Sequence, residues 1–216
     1  MSDREGVIKY RLEHQLADLP VDFGFAELNA WRSIMHRLGL IGRVPDRYDG
    51  LGFGNISRRL VPGRDEFIIS GTQTGHLPRL ETRQFVWVVE AVPEQNRLCS
   101  RGACQPSSEA LTHAGVYREC PVAQAVIHVH SPEIWRQTAA LALPHTGADI
   151  PYGTPRMAEA VAELFANGNL QALPLFTMLG HLDGVVAFGT SLADAACQLI
   201  CQLSRAIAIE QCPPAR

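Results

Sequence analysis

A layered α/β fold is what this sequence predicts, and three observations predict it. Short runs rich in β-branched and aromatic residues, EFIIS at 66–70 and QFVWVVEAV at 84–92 among them, read as strands. Other stretches repeat apolar residues at helical spacing, as in FAELNAWRSIMHRLGLIG at 25–42 and SLADAACQLICQLSRAIAIEQ at 191–211. The two kinds are mixed along the whole chain, the pattern of a sheet layered with helices. A chain of 216 residues can bury one substantial core, so a single domain over 1–216 is expected, with 1–24 as an N-terminal extension.

Taken in order, the first twenty residues, ending in ADLP, read as a loosely attached segment, helical if structured. In the first helix Leu28, Trp31, Ile34, Met35 and Leu38 share a face, and Gly39 and Gly42 close it. RVPDRYDGLGFGNISRRL (43–60), with Gly50, Gly52 and Gly54 alternating, reads as a flexible loop feeding two strands. GTQTGHLP (71–78) is a loop of small and hydroxylated residues at a strand end, a common place for ligands. PSSEALTHAGVYREC (106–120) reads as a helix entered through Pro106 and Ser107, with Leu111, Gly115 and Val116 toward the core. The apolar strand in QAVIHVHSPEIW (124–135) follows, then a helix over SPEIWRQTAALAL (131–143) and a loop, PHTGADIPYGTP (144–155). Met157, Val161, Leu164 and Phe165 mark the next helix, and LPLFTMLGHLDGVVAFG (173–189) gives two short strands around a turn. The last helix presents Leu192, Leu199, Leu203 and Ile207 inward.

Composition narrows the function. A net charge of −3 with both signs interspersed, and no cluster of Lys and Arg, offers no footprint for nucleic acid. Apolar runs such as GVVAFG fall far short of a membrane span and the charged opening MSDREGVIKYRLEH lacks a signal-peptide core, so a cytoplasmic protein without membrane attachment is expected. The six cysteines are expected to be reduced, with Cys197 and Cys201 buried as small apolar residues on one helix face.

The chemistry-bearing residues begin with His128 and His130. Side chains two apart on a strand stand on the same face, so these imidazoles can offer two nitrogens to one metal ion. Two ligands leave a metal under-coordinated. His181, in a turn between Gly180 and LDG, is a third candidate at an exposed position. Glu109 supplies a carboxylate at the start of a helix, where Ser107, Ser108 and the backbone N–H groups could also cradle an anion. His113 would share the face of Glu109 and is a rival ligand.

In this order and spacing the motifs resemble the class II aldolase and adducin family. Its marks are GNIS at 54–57, SGTQTG at 70–75, PSSE at 106–109 followed by His113 and Tyr117, HVH at 128–130, and GH at 180–181 before DGVVAFG. The resemblance covers about residues 25 to 210. It implies a three-layer α/β/α sandwich around a largely antiparallel central sheet, and a homotetramer with sites at subunit interfaces. It also implies a divalent metal, usually zinc, held by His128, His130 and His181, with Glu109 as acid/base and sometimes a fourth ligand. Gly54, Asn55, Thr74, Gly75, Ser107 and Ser108 would hold a substrate phosphate. The expected activity is that of an aldolase-type lyase, making or breaking a C–C bond beside a carbonyl in a small hydroxylated, optionally phosphorylated, substrate through a metal-stabilised enediolate. The same intermediate serves epimerases, dehydratases and decarboxylases, and in adducin the fold persists as a non-catalytic assembly module.

The sequence also departs from the family pattern. The stretch from His130 to His181 is shorter than in the sugar-phosphate aldolases, and their tyrosine acid has no counterpart in LALPHTGADIPYG (141–153). His145 and Tyr152 are the nearby candidate acids. SGTQTG is longer than the usual turn, which leaves open whether Thr74 with Gly75 or Ser70 with Gly71 meets the phosphate. GHLDG carries two residues more between its histidine and glycine than the aldolases do.

Overall fold

The β-branched and aromatic runs join a nine-stranded sheet in the computed structural model, which describes residues 6–20 and 22–212. In chain order the first half comprises β1 (Arg11–Gln15), α1 (Phe25–Arg37), β2 (Gly42–Arg43), β3 (Gly52–Phe53), β4 (Asn55–Arg59), β5 (Phe67–Ser70), β6 (Phe85–Val92) and β7 (Arg97–Gly102). The second half comprises α2 (Ala110–Glu119), β8 (Ala125–His130), α3 (Pro132–Arg136), β9 (His145–Thr146), α4 (Pro155–Ala166), α5 (Asn169–Ala172), β10 (Leu175–Met178), β11 (Gly184–Gly189) and α6 (Leu192–Gln211). The sheet order is β1-β7-β6-β5-β4-β8-β11-β10-β9, while β2 and β3 pair separately. Among the described residues only the outermost pairs, β1 with β7 and β10 with β9, run parallel, so the sheet is largely antiparallel with parallel edges.

Alternation along the strands divides the interior in two. Val126 of β8, Val186 and Phe188 of β11, and Phe67 and Ile69 of β5 pack with α2 and α4 on one face. Ala125, Ile127 and Val129 of β8, Val185 and Ala187 of β11, and Ile68 of β5 pack with α1, α3 and α6 on the other. A sheet buried on both faces between helical layers is an α/β/α sandwich. The even positions of β8 therefore put His128 and His130 on the same face as α2.

Several elements differ from expectation. The N-terminal segment is not loosely attached: Arg11–Gln15 pairs in register with Arg97–Arg101, and Tyr10 is buried. In α1 the buried stripe is Leu28, Arg32 and Met35, leaving Ile34 and Leu38 exposed. Arg32 takes an inward place because its guanidinium donates to Leu77 O at 2.5 Å and Thr74 O at 2.8 Å, while Trp31 packs part-buried against the core. In α6 the stripe is Leu192, Ala195, Ala196, Leu199, Gln202 and Ala206, whose small residues allow close approach to β8 and β11. Cys197, Cys201 and Ile207 lie off that stripe and are exposed, so the cysteines are not core residues. The helix expected over 131–143 ends at Arg136, and the loop after it contributes β9. By length and mean hydropathy, 1.3, α6 could cross a membrane, yet its stripe is folded onto the sheet.

Candidate metal centre

Three imidazoles meet at the C-terminal end of β8. His130 lies opposite Gly184 in the β8–β11 ladder, so the turn before β11 arrives beside it. That turn is closed by His181 N–H to Met178 O and Gly184 N–H to His181 O, with Asp183 in the left-handed region at φ 63. Gly184 leaves room: a Cβ there would stand 3.3 Å from the His181 ring. The ring centroids are 5.1 Å apart for His128 and His130, 5.2 Å for His128 and His181, and 4.8 Å for His130 and His181. One nitrogen from each lies within 4.8 Å of the others, and all three side chains are buried. Burial above all, then the neighbouring imidazoles, holds His128 well below the usual histidine range. It is therefore neutral and offers a lone pair, and its Nε2 has no hydrogen-bond partner among the described residues. Three buried imidazoles whose nitrogens converge in this way fit a divalent cation, which would be held by His128, His130 and His181.

Glu109 stands at the N-cap position of α2 with no capping hydrogen bond from its side chain, and it is 1% exposed. Its Oε2 accepts from Thr112 Oγ1 at 2.7 Å, while Oε1 lies 3.5 Å from His181 Nδ1. Burial, and next the charge of Glu109, pushes the Tyr10 phenol far up, so Tyr10 stays a donor and bonds Ser107 O at 2.8 Å. His113 is not a fourth imidazole of the cluster. Its Nδ1 is 2.7 Å from Ser57 Oγ, which is 2.8 Å from Tyr117 Oη, and burial pushes its pKa down to about 3.

The expected phosphate residues come together as loops, each partly occupied by its own fold. Gly71 bridges to Pro106 and Thr72 N–H donates to Gln105 O, which joins the 71–75 loop to the segment before α2. Gly75 packs so closely that a Cβ would fall 2.3 Å from Gly42 O, and Gly54, at φ 76, would press one to 2.7 Å from Ile41. Thr74 Oγ1 donates to Gly71 O, and Ser70 Oγ accepts from Ile56 N–H, so neither hydroxyl is idle. Ser107 Oγ accepts from Glu109 N–H, and Ser107 and Ser108 are both buried. Asn55 is buried, and its Nδ2 is 3.2 Å from His128 Nδ1.

Of the two candidate acids, Tyr152 reaches the cluster with its ring, stacked on His181 at 4.5 Å and 25°, while its hydroxyl accepts from Val7 N–H. His145 does not reach it. The edge strand β9 turns Thr146 inward and His145 outward, where it is exposed and lines a groove with Leu143, Asn167 and Leu173. Sequence reasoning missed four neighbours of the site. Lys9 Nζ lies 3.6 Å over the Tyr152 ring, and Tyr10 binds Ser107. Tyr48 meets the His130 ring edge-on at 4.6 Å and donates to Asp183 Oδ2 at 2.5 Å. Asp183 carried a signal, as one of the two extra residues after His181, whereas Lys9, Tyr10 and Tyr48 carried none in their local sequence.

The sequence matches the family described as class II aldolase and adducin N-terminal domain over residues 45–210. Methylthioribulose-1-phosphate dehydratase from Methylococcus capsulatus is 37% identical over 89 residues, 39% of this chain and 39% of that protein. The enzyme of the same name from Gluconacetobacter diazotrophicus is 34% identical over 103 residues, 47% of this chain and 46% of that protein. The aligned stretches thus span less than half the length of these relatives. Among solved structures, L-fuculose-1-phosphate aldolase from Thermus thermophilus superposes with a TM-score of 0.64 at 19% identity, covering 89% of this chain and 98% of that one. A sugar-phosphate aldolase from Thermotoga maritima gives 0.62 at 15%, covering 89% and 97%. At such identities the likeness is one of fold.

Proposed function

The chain belongs to the class II aldolase and adducin family, and from that premise we propose that it is a divalent-metal-dependent lyase acting on a small phosphorylated keto-sugar. The observation that carries this reading is the buried imidazole triad with the Glu109 carboxylate 3.5 Å from His181. Zinc suits a donor set of imidazoles with a carboxylate beside it. A divalent ion held there would supply Lewis acidity at a substrate carbonyl oxygen and so acidify the adjacent C–H. Glu109 is the base that takes this proton, since Thr112 occupies Oε2 and leaves Oε1 on the side of the triad. Ser107, Ser108, Gly54, Thr74 and Gly75 lie on the loops that would receive a phosphate. Tyr152 orients His181 through its ring.

Loss of a β-hydroxyl after proton removal gives dehydration, and the names of the two relatives favour this outcome over C–C cleavage. The reading extends to a cytoplasmic homotetramer, with apolar surface at Ile34 and Leu38 of α1 and at Ile200 and Ile207 of α6 available for assembly. A purely structural descendant has no use for three converging imidazoles and a carboxylate. Metal analysis after metal-replete expression, paired with turnover of methylthioribulose 1-phosphate, tests the proposal. Stoichiometric metal in wild type and its loss in His128→Ala are expected. Glu109→Gln should keep the ion while kcat falls about 10²- to 10⁴-fold. A wild-type protein devoid of metal defeats the lyase reading, and release of an aldehyde from a ketose phosphate would replace dehydration with aldol cleavage.

A further inference from the structure

Asn55 stands opposite His128 in the antiparallel β4–β8 ladder, so the two side chains leave the sheet on the same face. Asn55 is 5% exposed, and its Nδ2 lies 3.2 Å from His128 Nδ1. Two atoms of the pair, Asn55 Oδ1 and His128 Nε2, have no partner among the described residues. If the amide N–H donates to Nδ1, the single proton of a neutral imidazole must sit on Nε2. With Nδ1 turned to Asn55, Nε2 is the ring nitrogen without a partner among the described residues and so the one available to a metal, and a proton there would block coordination. An amide can turn by half a rotation with almost no change of shape, exchanging Oδ1 and Nδ2. Oδ1 then accepts from Nδ1–H, and Nε2 presents a lone pair to the cluster.

We propose that Asn55 is a positioning residue of the metal centre, its amide oxygen fixing His128 as the Nδ1–H tautomer and aiming Nε2 at the ion. This rests on the metal-centre reading given above and gives Asn55 a role other than holding phosphate. Outer hydrogen-bond partners of this kind orient the ligand ring and raise its basicity.

The test is metal affinity, measured by competition with a chromophoric chelator, together with the visible spectrum of the cobalt-loaded protein. Asn55→Ala should weaken binding about 10- to 100-fold and alter the cobalt bands. Asn55→Asp, which still accepts from Nδ1–H, should restore the affinity and the spectrum, whereas a phosphate-binding role would make Asp the worse variant and would show in KM with the metal unchanged. Wild-type affinity in Asn55→Ala overturns this inference alone, as does failure of Asn55→Asp to restore binding in a folded protein. Absence of binding in wild type overturns the metal-centre reading and this inference with it.

Discussion

Glu109 shows how little space separates a structural role from a chemical one. A carboxylate at a helix N-cap normally accepts from the N–H groups of the first turn, but the Glu109 side chain makes no such bond: Thr112 Oγ1 and the helix dipole hold it while Oε1 lies 3.5 Å from His181 Nδ1. Thr112 therefore decides which carboxylate oxygen faces the imidazoles. Thr112→Val keeps the shape and removes the hydroxyl, leaving Oε2 buried without its partner. The expected result is a loss of about 1.5–3 kcal/mol in urea unfolding, the range for a hydrogen bond to a charged group. Unchanged stability in Thr112→Val would mean that Oε2 is hydrated or bonded elsewhere. The sequence could show Glu109 at a helix start but not this division of its two oxygens, which depends on residue 112 lying one turn along and residue 181 arriving from another element.

At the scale of elements, Arg32 is the buried cation that ties α1 to the 74–77 loop. Burial pushes its pKa down to about 10, so the guanidinium remains charged at neutral pH. Arg32→Met fills much of the volume but orphans the carbonyls of Thr74 and Leu77. Each buried carbonyl left unsatisfied is expected to cost about 1–3 kcal/mol, read as a lower urea midpoint with an unchanged m-value. Periodicity places Leu28 and Met35 on the inward face of α1 but passes over Arg32, because it counts Arg as polar, and adds Ile34 and Leu38, which are exposed. Central elements were legible because burial on both faces writes long apolar runs, as in β8 and β11. The edge strand β1 was not, since RLEHQ alternates between half-buried and exposed positions and carries no apolar signal. His128, His130 and His181 were legible as types and spacings, whereas the approach of Tyr48 and of the Gly6–Tyr10 stretch depends on tertiary packing.

For the whole molecule, the face of the sheet that carries the site also buries ionisable groups, so stability should follow their protonation. His113 is fully buried beside Ser57, and its folded pKa of about 3 lies below the ordinary 6.5. Between those values the unfolded chain holds a proton on this imidazole and the folded chain does not. Stability thus rises with pH through this window, is fully present above 6.5 and is lost progressively as pH falls toward 3. The slope attributable to one proton is about 1.4 kcal/mol per pH unit. His128 is lowered in the same direction, and carboxylates add their own dependence, so the contribution of His113 has to be isolated by difference. His113→Asn retains a polar partner for Ser57 and removes the titration. Urea unfolding of the metal-free protein and this variant, from about pH 7.5 down to about pH 4.5 in the presence of chelator, should give curves that run parallel above 6.5 and converge below it. Wild type should lose stability faster than the variant by about one proton's slope. Parallel curves over the whole range would show that His113 takes up a proton as readily folded as unfolded, and the core around Ser57 and Tyr117 would then have to admit a charge.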